Sequence, residues 1–273
     1  MKNKILVLGQ GFIGTKIQRE FGCDISGKRI HSYQDAEKEI RRFNPKIIIN
    51  CIGITGKNNV DDCELVKDKT LTANSFIPLL LAEAAIRRNI KFIHISSGCI
   101  FHYDYKKDKP IKEDLIPNFF DLFYSRTKIY AEQPLNILSK KNDILIPRIR
   151  IPLDNQPSPK NILTKLLKYT KIIDAPNSVT YVPDFIKALN HLIKIDARGI
   201  YNVVNKGGLR YPELLEVYKK FNPDFKYNII KIKDLKLVRT NLLLSCSKLE
   251  KSGFKVRNIS EVLEECVEAY LNS

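Results

Sequence analysis

Residues 5–14 read ILVLGQGFIG: an apolar run, Ile5–Leu8, then Gly9-Gln-Gly11-Phe12-Ile13-Gly14, with Ile13, Ile17 and Phe21 falling on one helical face beyond. A strand that passes through G-x-G-x-x-G into a helix has one strong chemical use. The glycines permit a tight turn and a close approach, and a pyrophosphate can then meet the unbonded N–H groups and the dipole of the helix N-terminus. Gly9, Gly11, Phe12, Ile13 and Gly14 are therefore expected to form a dinucleotide turn. Read instead as a leader peptide, Ile5–Leu8 is too short an apolar run, so a mature cytoplasmic start is expected.

Outward from this turn, strand and helix patterns alternate. A helical stretch Asp35–Phe43 stops at Asn44-Pro45 and feeds the apolar run Ile47–Cys51. Helices over about Leu71–Arg88 and Phe123–Ser139 lead into strands Phe92–Ile95 and Ile144–Ile149. Wholly apolar strands separated by helices predict a parallel sheet covered on both faces, hence an α/β, doubly wound, Rossmann-type fold. Past Arg150 the rhythm breaks at Pro152, Pro157 and Pro159, and shorter helices follow around Asn161–Tyr169, Phe185–Lys194 and Pro212–Phe221. The expectation is a cofactor domain over 1–150 and a smaller C-terminal substrate-binding lobe over 151–273, with some interleaving.

Composition narrows the classes. With 273 residues, 44% hydrophobic and 28% charged, the chain can bury a substantial core. No apolar run approaches a membrane span. Six cysteines form no C-x-x-C pair and share no metal-like spacing with four histidines, so neither a metal nor a structural disulfide is expected. The net charge of +16 is spread along the chain without an aromatic-interleaved basic stripe, which argues against nucleic acid and suits a diphosphate substrate. The histidines read as idle.

Two further stretches carry chemistry. After the second strand the chain reads Cys23-Asp-Ile-Ser-Gly-Lys28-Arg29. Lys28 and Arg29 can pair with a ribose 2′-phosphate, which favours NADPH, while Asp24 leaves NADH open. Tyr124-Ser-Arg-Thr-Lys128 puts a phenol and an ammonium one helical turn apart, where the charge favours the phenolate and equips Tyr124 to transfer a proton. Upstream, Ser96-Ser97 ends a strand, where a hydroxyl can meet a substrate carbonyl. Glycine turn, strand-end serine and Y-x-x-x-K occur in the order used by short-chain dehydrogenases.

The chain resembles the extended short-chain dehydrogenases of the dTDP-4-dehydrorhamnose reductase type. Among these it is most similar to the bifunctional UDP-4-keto-6-deoxyglucose 3,5-epimerase/4-reductases of UDP-rhamnose synthesis. The segments that carry the resemblance are Asn50–Gly56, Val60–Glu64, Ser97–Phe101, Phe123–Lys128, Arg148–Pro152, Asn161–Lys165, Pro176–Thr180 and Gly199–Asn202. It implies Ser97, Tyr124 and Lys128 as the reductase triad, and Cys99 and Lys165 as the acid/base pair of epimerisation. It further implies Arg29, Asn50, Gly53 and Asn74 beside the cofactor, and Thr55, Ser97, Asn161, Asn177 and Arg239 beside a UDP-4-keto-6-deoxy sugar. A homodimer is usual for the class. Two departures stand out. The chain has one residue fewer between its first two glycines than the family's G-x-x-G-x-x-G, and Ser97 replaces the usual threonine. A plain 4-ketoreductase and a non-catalytic NADP-binding regulatory subunit remain as alternatives.

Overall fold

Leu6, Val7 and Leu8 are buried on both sides of the first strand, so it runs through the middle of a sheet. The computed structural model describes residues 4–57, 59–234, 238 and 240–273. β1 (Ile5–Leu8) is followed by α1 (Phe12–Phe21), β2 (Asp24–Ser26), α2 (Tyr33–Phe43) and β3 (Ile47–Asn50). α3 (Lys67–Leu71) continues through a π-turn, Thr72–Phe76, into α4 (Ile77–Ile86). Next come β4 (Lys91–His94), β5 (Ser96–Ser97), α5 (Phe123–Ser139) and β6 (Ile144–Ile149). The sequence pattern therefore anticipates these elements to within a few residues. The π-turn escapes it, since one extra residue in a turn barely disturbs the spacing of apolar positions.

The large sheet has the order β10-β6-β4-β3-β1-β2, with β10 at Gly199–Asn202 and β5 paired to β6. The pairs β1–β2, β1–β3, β3–β4 and β4–β6 are parallel. Leu6, Leu8, Ile48, Phe92 and Ile144 pack on one face against Ala36 and Ile40 of α2 and Leu81 of α4. Val7, Ile49, Ile93 and Leu145, which alternate with them, are equally buried. This double coverage is what wholly apolar strands require. The chain leaves β1 for β2 on one side and returns to β3 on the other. The carboxyl ends of β1 and β3 thus flank a topological switch point, the place where such sheets bind ligands.

The chain divides into two compact units that interleave along the sequence: residues 1–100, 119–148 and 192–201, and residues 101–118, 149–191 and 202–273. The second holds two short parallel pairs, β7 (Pro152–Leu153) with β9 (Thr180–Tyr181) and β8 (Lys171–Ile173) with β11 (Asn228–Ile230). Leu163 and Leu166 of α6 (Ile162–Leu166), Leu214 and Leu215 of α8 (Tyr211–Phe221), and Val267 of α10 (Leu263–Leu271) close its core. α7 (Val182–Lys194) and α9 (Ser247–Lys251) are the remaining α-helices among the described residues. Among the described residues no helix is long and apolar enough to cross a membrane, and no group of three His, Cys, Asp or Glu could hold a metal ion. All six cysteines are free thiols.

Candidate active site

The glycine turn closes at the switch point. Gly9 has φ +105°, a conformation open to glycine, and donates its N–H to Ser26 O at 3.0 Å. A Cβ on Gly14 would lie 2.0 Å from Gly9 O, so the short turn is folded hard against its own helix. At Gly11, the N-cap of α1, a Cβ would meet nothing within 4 Å. The cap has no side-chain hydrogen bond and the first turn, from Phe12 through Ile13, holds no acid. The helix start therefore presents its N–H groups with no side-chain cap and no acid beside them. Lys28 and Arg29 stand exposed just beyond β2. Asp24 does not support the NADH alternative: it opens β2 opposite Leu6, and the strand ends on Ser26. Ser26 in turn donates its hydroxyl to the buried Glu39 of α2.

The loop after β3 is pinned from both sides. Asn50 Oδ1 accepts from Ile52 N at 3.0 Å. The π-turn brings Asn74 inward, where Oδ1 accepts from Ile54 N at 2.8 Å and Nδ2 donates to Ile54 O at 3.0 Å. Gly53 fits closely between them: a Cβ there would sit 3.2 Å from Asn74 Oδ1, tighter than an ordinary contact, and 4.0 Å from Lys128 Nζ. Thr55 follows, exposed.

Asn74 Nδ2 also reaches Thr127 Oγ1 at 3.1 Å, and Thr127 Oγ1 donates to Tyr124 O at 2.8 Å. Ser75 Oγ donates to Thr127 O at 2.8 Å. The π-turn thus fastens the first turn of α5 to the loop after β3. The start of α5 is capped from a distance: Phe123 N donates to Glu64 Oε1 at 2.8 Å, which holds the Glu64 carboxyl below its ordinary range.

On that turn Tyr124 is buried, with Lys128 one turn on. Lys128 Nζ donates to Ile95 O at 3.2 Å. Burial pulls its ammonium down from 10.5 to about 8, against the opposing pull of Glu132. Ser97 is buried at the end of β5, and its Oγ accepts from Cys99 N at 3.2 Å. Half-buried Cys99 is tied to the Tyr124 turn through Ser125 Oγ, which donates to Cys99 O at 2.6 Å. Behind them Arg148 donates from Nη2 to Glu132 Oε1 at 2.7 Å, and Ser96 Oγ donates to Glu132 Oε2 at 2.7 Å.

The structure therefore gathers Ser97, Cys99, Tyr124, Lys128, Gly53 and Asn74 in the first unit. Lys165 belongs to the second, half-buried on α6. Asn161 caps that helix at Leu163 N (3.1 Å) and donates to Asp154 O and Gln156 O at 2.7 and 2.9 Å. Asn177 Oδ1 accepts from Arg150 Nε at 2.9 Å, and its Nδ2 donates to Asn241 Oδ1 at 2.9 Å. Both asparagines spend their amides on the lobe itself. Arg239 lies outside the described residues.

Sequence reasoning missed Glu64, Thr127, Glu132 and His94. His94, expected from the sequence to be idle, sits at the end of β4. It is fully buried, its Nδ1 lies 3.1 Å from Asn50 Nδ2, and burial with the nearby Lys128 charge holds it well below its ordinary pKa. A histidine directly after the apolar pair Phe92-Ile93 was the signal.

Residues 3–208 match the family model described as the RmlD substrate binding domain. The chain is 30% identical, over 86% of its length and 80% of the relative's, to an Arabidopsis thaliana bifunctional dTDP-4-dehydrorhamnose 3,5-epimerase/dTDP-4-dehydrorhamnose reductase. It is also 30% identical, over 95% of its length, to an Arabidopsis trifunctional UDP-glucose 4,6-dehydratase/UDP-4-keto-6-deoxy-D-glucose 3,5-epimerase/UDP-4-keto-L-rhamnose-reductase, of which it spans 41%. Its backbone superposes on the L780 UDP-rhamnose synthase of Acanthamoeba polyphaga mimivirus with a TM-score of 0.89 and 26% identity, over 98% and 99% of the two chains.

Proposed function

Since the chain belongs to the RmlD substrate binding domain family, we propose that it is an NADPH-dependent 4-ketoreductase of a UDP-linked 4-keto-6-deoxy sugar that also epimerises the ring at C3 and C5. The observation that carries the reading is the placement of Tyr124 and Lys128 on one helix turn, with Gly53 and Ile95 bringing the cofactor-side backbone up to the Lys128 ammonium.

The residues fit a dinucleotide: Gly9 and Gly14 fold the turn shut, while Gly11 leaves the helix start open where a Cβ would find only space. Gly9, Gly11, Phe12, Ile13 and Gly14 would hold the pyrophosphate, Lys28 and Arg29 the 2′-phosphate, and Asn50, Gly53 and Asn74 the wall beside the nicotinamide ribose. When bound, NADPH supplies the hydride that reduces C4.

The chain's own groups do the rest. Ser97 Oγ and the Tyr124 hydroxyl hydrogen-bond the C4 oxygen, and Tyr124 gives up its proton as negative charge builds there. Lys128 stabilises the resulting phenolate and holds the ribose hydroxyls. The same two oxygen-binding groups stabilise the enolate formed when a proton leaves C3 or C5. Cys99 and Lys165 are the acid/base pair that removes those protons and returns them with inversion. Thr55, Ser97, Asn161, Asn177 and Arg239 complete the substrate contacts, the two asparagines by shaping the lobe. The enzyme works in the cytoplasm as a homodimer, through the helices that cover the sheet, where Tyr130 and Ile137 of α5 stand exposed.

Purified protein with UDP-4-keto-6-deoxyglucose and NADPH, its products followed by NMR, tests the reading. UDP-rhamnose supports it. A reduced but unepimerised sugar leaves a plain reductase, and NADPH binding without turnover leaves a regulatory subunit.

A further inference from the structure

Asn50 and His94 are register partners at the carboxyl ends of β3 and β4, and both side chains are wholly buried. Because Asn50 Oδ1 accepts from Ile52 N at 3.0 Å, the NH₂ end of the amide is the end that faces His94 Nδ1 at 3.1 Å. An amide NH₂ can only donate. His94 Nδ1 must therefore present its lone pair, and the ring proton sits on Nε2, which is buried and meets no acceptor among the described residues. The other tautomer would set two donors against each other. A protonated ring would do the same, and it is disfavoured by burial and by the Lys128 ammonium.

The hydrogen bond to Ile52 has a mechanical consequence. A Cβ on Gly9 would lie 2.9 Å from both Cys51 C and Ile52 N, so the Cys51–Ile52 peptide is the surface on which the glycine turn rests. That same peptide donates to Asn50 Oδ1. Rotating the amide by half a turn would put its NH₂ against the Ile52 N–H and its oxygen against the His94 lone pair.

We infer that His94 is a positioning residue for the dinucleotide turn: as the Nε2–H tautomer it fixes Asn50 in the one orientation that pins the Cys51–Ile52 peptide beneath Gly9. The inference rests on reading that turn as the NADPH site. Replacing His94 with an apolar residue leaves the Asn50 NH₂ buried without an acceptor, and the amide can then abandon Ile52.

The test compares His94→Leu with His94→Asn, which keeps an oxygen acceptor at the δ position. In His94→Leu the Kd and KM for NADPH should rise about tenfold, the equivalent of one lost buried hydrogen bond. Its kcat should stay within about twofold of wild type, because no group that touches the ketone is altered. His94→Asn should recover most of the affinity. A merely structural histidine would give no such split and no rescue. Independently of any variant, nitrogen NMR of the wild-type ring should show the Nε2–H tautomer without titration from about pH 5.5 to 8.5. An Nδ1–H tautomer, a ring that titrates in that range, or a folded His94→Leu protein with wild-type NADPH affinity overturns the inference. Wild-type protein that does not bind NADPH overturns the functional reading itself, a result distinct from all of these.

Discussion

Lys128→Met should make the cofactor-free protein more stable, although it removes a group central to the proposed reaction. The Lys128 ammonium is buried and its pKa falls from 10.5 to about 8. Below pH 8 the lysine is charged both folded and unfolded, so the folded state carries the whole desolvation cost. At about 1.4 kcal/mol per unit, that is roughly 3 kcal/mol at pH 7. Between about pH 8 and 10.5 the folded state sheds the proton first, and the cost fades. Methionine keeps an unbranched apolar stem but leaves Ile95 O without its donor, a loss of about 1–2 kcal/mol. The variant should therefore gain about 1–2 kcal/mol at pH 7, and its advantage should shrink by about 2 kcal/mol at pH 9.5. Urea unfolding of both proteins at the two pH values measures this. A variant less stable than wild type at pH 7, or an advantage equal at both, would refute the account of Lys128 as a charge held in place against its own solvation.

Three further outcomes follow from the site. Lys28→Ala/Arg29→Ala should reduce the preference for NADPH over NADH by at least about tenfold, because two charge-assisted contacts to the 2′-phosphate are lost; an unchanged ratio of kcat/KM for the two cofactors removes the clamp. Tyr124→Phe should slow ketone reduction by about 10²–10⁴-fold while NADPH affinity, read by fluorescence titration, stays near wild type. Wild-type turnover would take Tyr124 out of the mechanism. In deuterium oxide without NADPH, wild type should exchange at C3 and C5 of the 4-keto sugar, and Cys99→Ala and Lys165→Ala should each lose exchange at one carbon or both. Full exchange in Cys99→Ala leaves the plain reductase as the better reading.

What could be read from the sequence depended on whether a residue acts through its neighbours in the chain. Gly9, Gly11 and Gly14 announce themselves because turn, strand and helix are contiguous there, and Tyr124 and Lys128 because helical spacing is local. Asn74 was found by resemblance, but its action needs a π-turn that hydrophobic periodicity does not register. Glu64 caps a helix that starts 59 residues later in the chain. Thr127 is an ordinary helix residue until Asn74 is brought against it. Asp24 proves to open β2 and not to end it, because boundaries are the least legible part of a pattern.

Among the described residues, three of the five buried charged side chains of the first unit stand together, while Glu39 and Lys91 lie elsewhere. Lys128, Glu132 and Arg148 all lie in or behind the strand ends that carry Ser96 and Ser97, with wholly buried Asn50 and His94 alongside. Well-packed apolar side chains in the place of such pairs are commonly neutral or stabilising, so the fold alone gives no reason to keep them. A site that must hold an ammonium below its ordinary pKa beside a phenol does give one. Glu132 raises the affinity of Lys128 for its proton, and Arg148 neutralises Glu132 so that the carboxylate itself can stay buried. On this reasoning Glu132→Gln removes the main charge that offsets the burial of Lys128. Its pKa should fall below about 8, and reduction should then persist to lower pH only as far as the ammonium does. A pH–rate profile in which the alkaline limb of Glu132→Gln is displaced to lower pH supports the chain from Arg148 through Glu132 to Lys128, and an unmoved limb breaks it.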